Sequence, residues 1–327
     1  MTPPQFSSDP PLHSAPVVAH VVRSGFLESV HHGIVAATGG DGALELSLGP
    51  VGAAIFPRSS NKPMQTVAMV RHGLDLPDDL LALVSASHNG EDFHLDGVRR
   101  ILASVGLTED ALQNTPDWPI HEPERRRWVA EGLPASSIGQ NCSGKHAGML
   151  ATCVVNNWDT ASYRDPGHPL QVAMAQVIAE LSGESVAATG TDGCGAPVMA
   201  ISTVGLARAF GRLAGAPHDT AEGRVARSIR THPEFLGGTG RDITALVQAV
   251  PGLIGKDGAE AVYAIGLPDG RGVALKITDG SQRARSVVAQ AALTAMGVSG
   301  DLSVLDPAPV LGHGEPVGSI TAVGFDA

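Results

Sequence analysis

Arg58-Ser59-Ser60-Asn61-Lys62-Pro63-Met64-Gln65 is the stretch on which the reading of this chain turns. Proline lacks an N–H and has a preset φ, so Pro63 suits the first turn of a helix, where that donor has no partner anyway. A helix over residues 63–71 therefore begins here, and Ser59 and Lys62, three apart on a helical turn, share one face. Upstream lie strand-like runs at 17–22, 29–37, 44–48 and 53–56, separated by turn residues such as Thr38-Gly39-Gly40-Asp41-Gly42. That glycine cluster lacks the Lys-Ser/Thr of a phosphate loop and reads as a hairpin turn. Downstream, helical periodicity dominates, with helices expected at 79–84, 92–105, 144–155, 169–181, 198–213, 220–230 and 242–250. Two strands follow, 259–267 and 272–278, joined by Pro268-Asp269-Gly270, then a helix at 282–296 and an irregular Pro- and Gly-rich tail. Strands at both ends with helices between them predict an α+β fold, an antiparallel sheet flanked by helices. No repeat or linker divides it. Residues 17–327 read as a single domain behind a flexible N-terminal tail, 1–16, that carries five prolines.

Composition narrows the function classes. The 327 residues carry 33 acidic and 22 basic side chains, a formal charge of −11, which argues against a nucleic-acid surface. No apolar run approaches the roughly 20 residues of a membrane span, and the N-terminus has neither the basic nor the apolar region of a signal peptide. Three cysteines do not make a disulfide framework, and a cytoplasmic location is expected. Of the 22 basic residues only four are lysine: Lys62, Lys145, Lys256 and Lys276. An arginine-rich chain keeps lysine where an amine that can lose its proton is needed, which a guanidinium cannot supply.

A serine hydroxyl is a weak nucleophile unless a base stands beside it, and a desolvated Lys62 would be such a base for Ser59. Two further elements follow in order, Ser87-His88-Asn89 ahead of an amphipathic helix and Lys256-Asp257-Gly258 ahead of a strand. Ser-x-x-Lys, Ser-Asp-Asn and Lys-Thr-Gly in that order mark the serine β-lactamase and penicillin-binding group, and here the second and third differ at the middle position. A fourth and fifth element, Asn141-Cys142-Ser143-Gly144-Lys145-His146 and Thr191-Asp192-Gly193-Cys194-Gly195, set two cysteines and a third lysine in Gly-punctuated polar loops. Cys153, inside an apolar run, reads as core. Cys142 and Cys194 are open to three readings: metal ligands, nucleophiles or a redox pair. Spacing alone names no metal, since neither Cys-x-x-Cys nor His-Glu-x-x-His occurs.

Taken together, these five ordered strings resemble the asparaginase II family, the rhizobial-type, serine β-lactamase-like L-asparaginases, over about residues 17–325. The resemblance implies a serine β-lactamase/penicillin-binding-protein-like catalytic domain that hydrolyses the side-chain amide of L-asparagine to aspartate and ammonia. It implies Ser59 and Lys62 as the first serine–lysine pair, with Ser59 the nucleophile, and Ser87 and Lys256 as the second. Cys142, Lys145 and Cys194 match zinc ligands; Arg58, Asn89, His146 and Asp192 match substrate-binding neighbours of the reaction centre. A homodimer is implied by the same likeness. Asp257 departs from it, because a small or hydroxyl residue is more usual there. With Lys145 and Lys256 brought near Lys62, like-charge repulsion would depress the pKa of all three amines.

Other readings share part of this pattern. They are a serine amidohydrolase or β-lactamase-like enzyme with another substrate, a non-catalytic zinc-stabilised small-molecule-binding protein, and a cysteine hydrolase using Cys142 with His146. The choice between Ser59 and Ser60 rests on the geometry of the turn.

Overall fold

Pro63 does lie in the first turn of a helix, Lys62–Arg71, and a 3-10 turn over Arg58–Asn61 leads into it. Around that junction the chain, a computed structural model describing residues 11–325, begins with four strands. They are β1 (Val17–Arg23), β2 (Phe26–Thr38), β3 (Leu44–Leu48) and β4 (Ala54–Ile55). Helices α1 (Lys62–Arg71), α2 (Asp78–Val84), α3 (Asp92–Ala103), α4 (Glu122–Ala130), α5 (Ser143–Val155) and α6 (Pro169–Ser182) follow. Next come β5 (Ala188–Thr191), β6 (Pro197–Ser202), α7 (Thr203–Ala214), α8 (Ala221–Thr231), α9 (Pro233–Leu236) and α10 (Asp242–Ala249). The chain closes with β7 (Ile254–Gly258), β8 (Val262–Gly266), β9 (Gly272–Ile277), α11 (Arg285–Ala295), β10 (Val310–Gly312) and β11 (Glu315–Ala322).

The larger sheet runs β10-β11-β1-β2-β9-β8-β7, antiparallel throughout, with β3 also on β2. β2 is its spine: the first half pairs with β1, while residues 33–38 pair with β9 and residues 35–38 also with β3. Its burial follows that division, exposed over 26–30 and continuously buried over 33–38, as for a strand covered on both faces. α7 packs on β2, β8 and β9, and α11 on β9 and β11. A second, three-stranded sheet, β4-β6-β5, stands beside it. The expected α+β architecture, an antiparallel sheet flanked by helices, is what the chain adopts.

Several boundaries differ from the sequence reading for physical reasons. The helix expected over 198–213 is strand up to Ser202, because all six residues of β6 are buried, and a short buried run carries no periodicity to separate strand from helix. Ser202 then caps α7 by accepting from the Gly205 N–H at 2.9 Å. The strand expected over 259–267 is β8, which starts at Val262, and Lys256-Asp257-Gly258, expected as a turn ahead of it, lies within a separate strand, β7. The tail expected to be irregular supplies β10 and β11, since β11 finds its partner in β1, some 300 residues away in the chain. Of the expected N-terminal tail, residues 1–10 lie outside the described ones. Pro11–Ser14 form a 3-10 turn, Ala15 is buried, and the Pro16 carbonyl accepts from the Gly33 N–H, so packing starts before residue 17. Among the described residues no helix is long and apolar enough to cross a membrane.

Candidate active site

Five separate segments converge at the N-terminal end of α1. The 3-10 turn brings Ser59 and Ser60, and the Lys62 N–H closes it on the Ser59 carbonyl. Arg58, at its start, has a φ of 53°, a conformation costly for a residue with a Cβ. The loop after α2 is pinned like a short strand: Ser87 and Asn89 donate their N–H groups to the Leu236 and Gly237 carbonyls, and His88 donates to that of Asn141. α5 can approach this loop because Gly144 has no side chain; a Cβ there would run into the Leu83 carbonyl at the end of α2. That contact sets Cys142, just ahead of α5, beside Lys62. β7 reaches the 3-10 turn through Gly258, where an added Cβ would come within 2.7 Å of the Pro57 carbonyl. The Asp192–Gly195 turn between β5 and β6 supplies Asp192 and Cys194.

Lys62, 1% exposed, donates to the Ala86 carbonyl at 2.5 Å, the Ser87 hydroxyl at 3.0 Å and the Cys142 sulfur at 3.1 Å. Lys256 donates instead to the carboxylate of Asp257 at 2.5 Å and to that residue's carbonyl at 2.6 Å. The two serine–lysine pairs implied by the family likeness are thus arranged differently here: Ser87 bonds to Lys62, and Lys256 bonds to Asp257. The serines also separate. Ser60, fully buried, gives its hydroxyl proton to the Lys256 carbonyl at 3.0 Å, whereas Ser59, 9% exposed, has no side-chain hydrogen bond among the described residues. A hydroxyl already committed to the backbone is a poor nucleophile; the uncommitted one is Ser59.

Charge is balanced pair by pair. Lys145 donates to the Cys194 sulfur at 3.1 Å. A hydrogen bond from the Cys142 thiol, helped by Lys145 and opposed by burial, brings the Cys194 thiol down to about 4, while the same bond and burial push Cys142 up to about 12. Burial alone would lower Lys145, but Cys194, Cys142 and Asp192 outweigh it and its pKa is raised. Burial lowers Lys256 to about 8, against the pull of Asp257. The lowering expected from clustering is seen at Lys256, where burial is the larger cause and Lys62 adds to it, and is overturned for Lys145, because that amine sits against the Cys194 sulfur and not against another ammonium. Asp192, which burial would raise, is held low by Lys145 and by Arg58, whose guanidinium lies 2.8 Å away.

The remaining expected residues line this centre or support it. Asn89 donates to the Thr239 carbonyl at 2.9 Å and to Glu91 at 3.2 Å. His146 places Nδ1 2.7 Å from the Tyr163 hydroxyl, and its other ring nitrogen is buried without a hydrogen-bond partner among the described residues. Burial and Lys145 keep that imidazole neutral. No hydrogen bond joins His146 to Cys142 among the described residues. With the Cys142 thiol also pushed up, the cysteine-hydrolase alternative gains no support. Tyr163, Arg241 and Arg285 belong to the same neighbourhood and escaped the sequence reading, because none stands within a recognisable string. Arg241 bonds to Asp257 at 2.5 Å and Arg285 to Asp242 at 2.7 Å.

Two thiols and an amine within bonding contact make a donor set that suits a borderline-soft cation such as zinc. Among the described residues no group of three or more His, Cys, Asp or Glu side chains is placed to hold a metal, so a zinc here would need Lys145 beside the two cysteines.

A lysine buried beside serine hydroxyls is an arrangement that can activate a serine for acyl transfer. The sequence model for L-asparaginase II matches residues 19–322, and the chain belongs to that family. Membership supports amide hydrolysis as its class of reaction. No curated protein sequence matches the chain. Among solved structures it is similar to Mglu in its native form, at 13% identity and a TM-score of 0.40 over 76% of this chain and 60% of that one. It is also similar to a β-lactamase from Mycobacterium bovis, at 13% identity and 0.43 over 80% and 94%, and to a Bacillus glutaminase, at 11% and 0.38 over 82% and 91%. The chain spans about 60% of the length of the Mglu structures that it matches.

Proposed function

We propose that this chain is an L-asparaginase. Ser59 attacks the side-chain amide carbon of L-asparagine, and its proton passes to Lys62, directly or through the Ser87 hydroxyl that Lys62 holds. The C–N bond breaks as the nitrogen takes up a proton and leaves as ammonia. Water then cleaves the aspartyl ester, restoring Ser59 and giving aspartate. Donors around the reacting carbonyl would stabilise the oxyanion. Arg58, Asn89, His146 and Asp192 would hold the charged ends of the amino acid, the neutral His146 with its unpartnered nitrogen offering a hydrogen bond. Cys142, Lys145 and Cys194 would hold zinc, which when bound supplies a fixed positive charge for orienting the substrate or fixing the two loops. A homodimer is proposed with it, in a cytoplasmic protein; the exposed apolar side chains Phe26 and Leu27 of β2 and Leu311 of β10 support a second copy as partner.

The observation that carries the reading is the division of labour between the two serines: Ser60 is bound to the backbone, and Ser59, without a side-chain hydrogen bond among the described residues, stands one helical turn before a buried lysine. Ammonia release from L-asparagine tests it. Ser59→Ala is expected to lose roughly a thousandfold or more in kcat, as for loss of a nucleophile. Ser60→Ala, which removes a hydrogen bond worth about 1 kcal/mol, is expected to keep most turnover. An active Ser59→Ala protein, or a wild type that releases no ammonia with zinc supplied, would overturn the proposal.

A further inference from the structure

We propose that Asp257 is a positioning residue: it holds the Lys256 amine as an ammonium and, through Arg241, ties that ammonium to the Asn89 loop. The geometry is specific. An ammonium has three protons to give, and Asp257 accepts two of them, through its carboxylate at 2.5 Å and its own carbonyl at 2.6 Å. One proton is left uncommitted among the described residues. The other carboxylate oxygen of Asp257 is held by Arg241 at 2.5 Å and faces Arg285 at 3.7 Å. Arg285 is fixed in turn by Asp242 at 2.7 Å and by the ring of Tyr263, 5.0 Å from its guanidinium carbon. Arg241 reaches the Asn89 side chain at 3.5 Å, and Asn89 is bound to Glu91. One continuous network therefore runs from the Lys256 strand to the loop that carries Ser87.

The consequence is a difference of role between two buried lysines. The charged groups that act on Lys256 are Asp257 from β7, Lys62 from α1 and Arg241 from the turn before α10. Asp242, Arg285 and Tyr263 surround Asp257 from α10, α11 and β8. Of these the Asp257 carboxylate is in contact with the amine and stabilises its charged form; burial, Lys62 and Arg241 all work the other way. With Asp257 present, Lys256 serves as a fixed positive charge beside Lys62. Without it, the amine would shed its proton and become a second base. Asp257 itself stays ionised, since Lys256, Arg241 and Arg285 together overcome the burial that would raise it.

The chain has only four lysines, so each can be followed by NMR in protein labelled with [13C,15N]lysine, the Lys256 signal being assigned by its loss in Lys256→Arg. Wild-type Lys256 is expected to be an ammonium at pH 7. In Asp257→Asn its titration midpoint should fall by about one pH unit or more, and Asp257→Glu should restore it in part. Arg241→Gln should move the midpoint the other way, upward, by removing a neighbouring cation. Opposite displacements from two changes in one network are not what a folding defect produces, and the second variant stands if the first does not fold. A neutral Lys256 at pH 7 in the wild type would overturn the proposal. So would an unmoved or rising midpoint in Asp257→Asn, or a falling one in Arg241→Gln. The kinetic arm rests on the asparaginase reading: the alkaline limb of kcat/KM should follow the NMR midpoint in each variant. Absence of ammonia release would remove that reading and leave the NMR outcome to decide on Asp257.

Discussion

Replacing Gly258 by alanine would test whether the contact between β7 and the 3-10 turn sets the position of Ser59. Gly258 has an ordinary φ, so alanine brings no backbone strain, and the whole effect is steric. The new Cβ would lie 2.7 Å from the Pro57 carbonyl and 2.9 Å from the Ser60 hydroxyl, where ordinary contact begins at 3.4 Å. One side must give by about 0.7 Å. β7 is held by β8 through its whole length, whereas the turn begins at the strained Arg58, so the turn should move. Overpacking of this kind costs about 1–3 kcal/mol, which is a Tm loss of several degrees in a chain of this size. The catalytic cost should be disproportionate, because a displacement approaching 1 Å at a reacting group can cost roughly a hundredfold in rate. A coupled ammonia assay alongside thermal unfolding separates the two. The expected result is a kcat lower by about ten- to a hundredfold in a protein still folded at the assay temperature. Full activity in a folded Gly258→Ala protein would refute the claim that this contact positions the nucleophile.

Two other outcomes are expected. Wild-type protein should bind one equivalent of zinc measured by mass spectrometry after desalting, and Cys194→Ser and Lys145→Met should each lose it; metal retained by Lys145→Met would exclude the amine as a ligand. Lys256, at about 8 in the folded chain against about 10.5 unfolded, binds its proton more weakly when folded. Its contribution to stability therefore rises with pH between those values. Relative to Lys256→Met, the wild type should gain on the order of 2 kcal/mol between pH 7.5 and 10 in urea unfolding. A flat difference would mean that Lys256 titrates normally.

Much of this centre was legible because its chemistry is written in short strings. Pro63 marks the helix start, Ser59 and Lys62 share its turn, and glycines punctuate the loops that carry Cys142 and Cys194. What the strings do not carry is which partner each side chain chooses. Lys256 and Lys62 are each matched to a serine by the family likeness, yet one is paired to a carboxylate of its own strand and the other to Ser87 and Cys142. That choice depends on how far β7 lies from the loop after α2, which is set by tertiary contacts such as Gly258 on Pro57 and Gly144 on Leu83. The C-terminal strands were unreadable for a related reason: β11 exists because β1 is there to pair with it.

The lysine count connects composition to chemistry. In a chain with 18 arginines all four lysines are buried, which is unusual for the most surface-loving of side chains. Three stand in the site, and the fourth, Lys276, donates to the carbonyl of Glu260, whose carboxylate lies 4.0 Å from Arg58 at the edge of the site. Burying three ammoniums together would be prohibitive without counter-charge. The fold supplies it locally: the Cys194 thiolate for Lys145 and Asp257 for Lys256. Among the described residues Lys62 is satisfied by two neutral acceptors and a protonated thiol, with no carboxylate in contact. Two buried amines thus have a counter-charge in contact and the third is held by neutral groups, a difference of surroundings that separates Lys62 from Lys145 and Lys256.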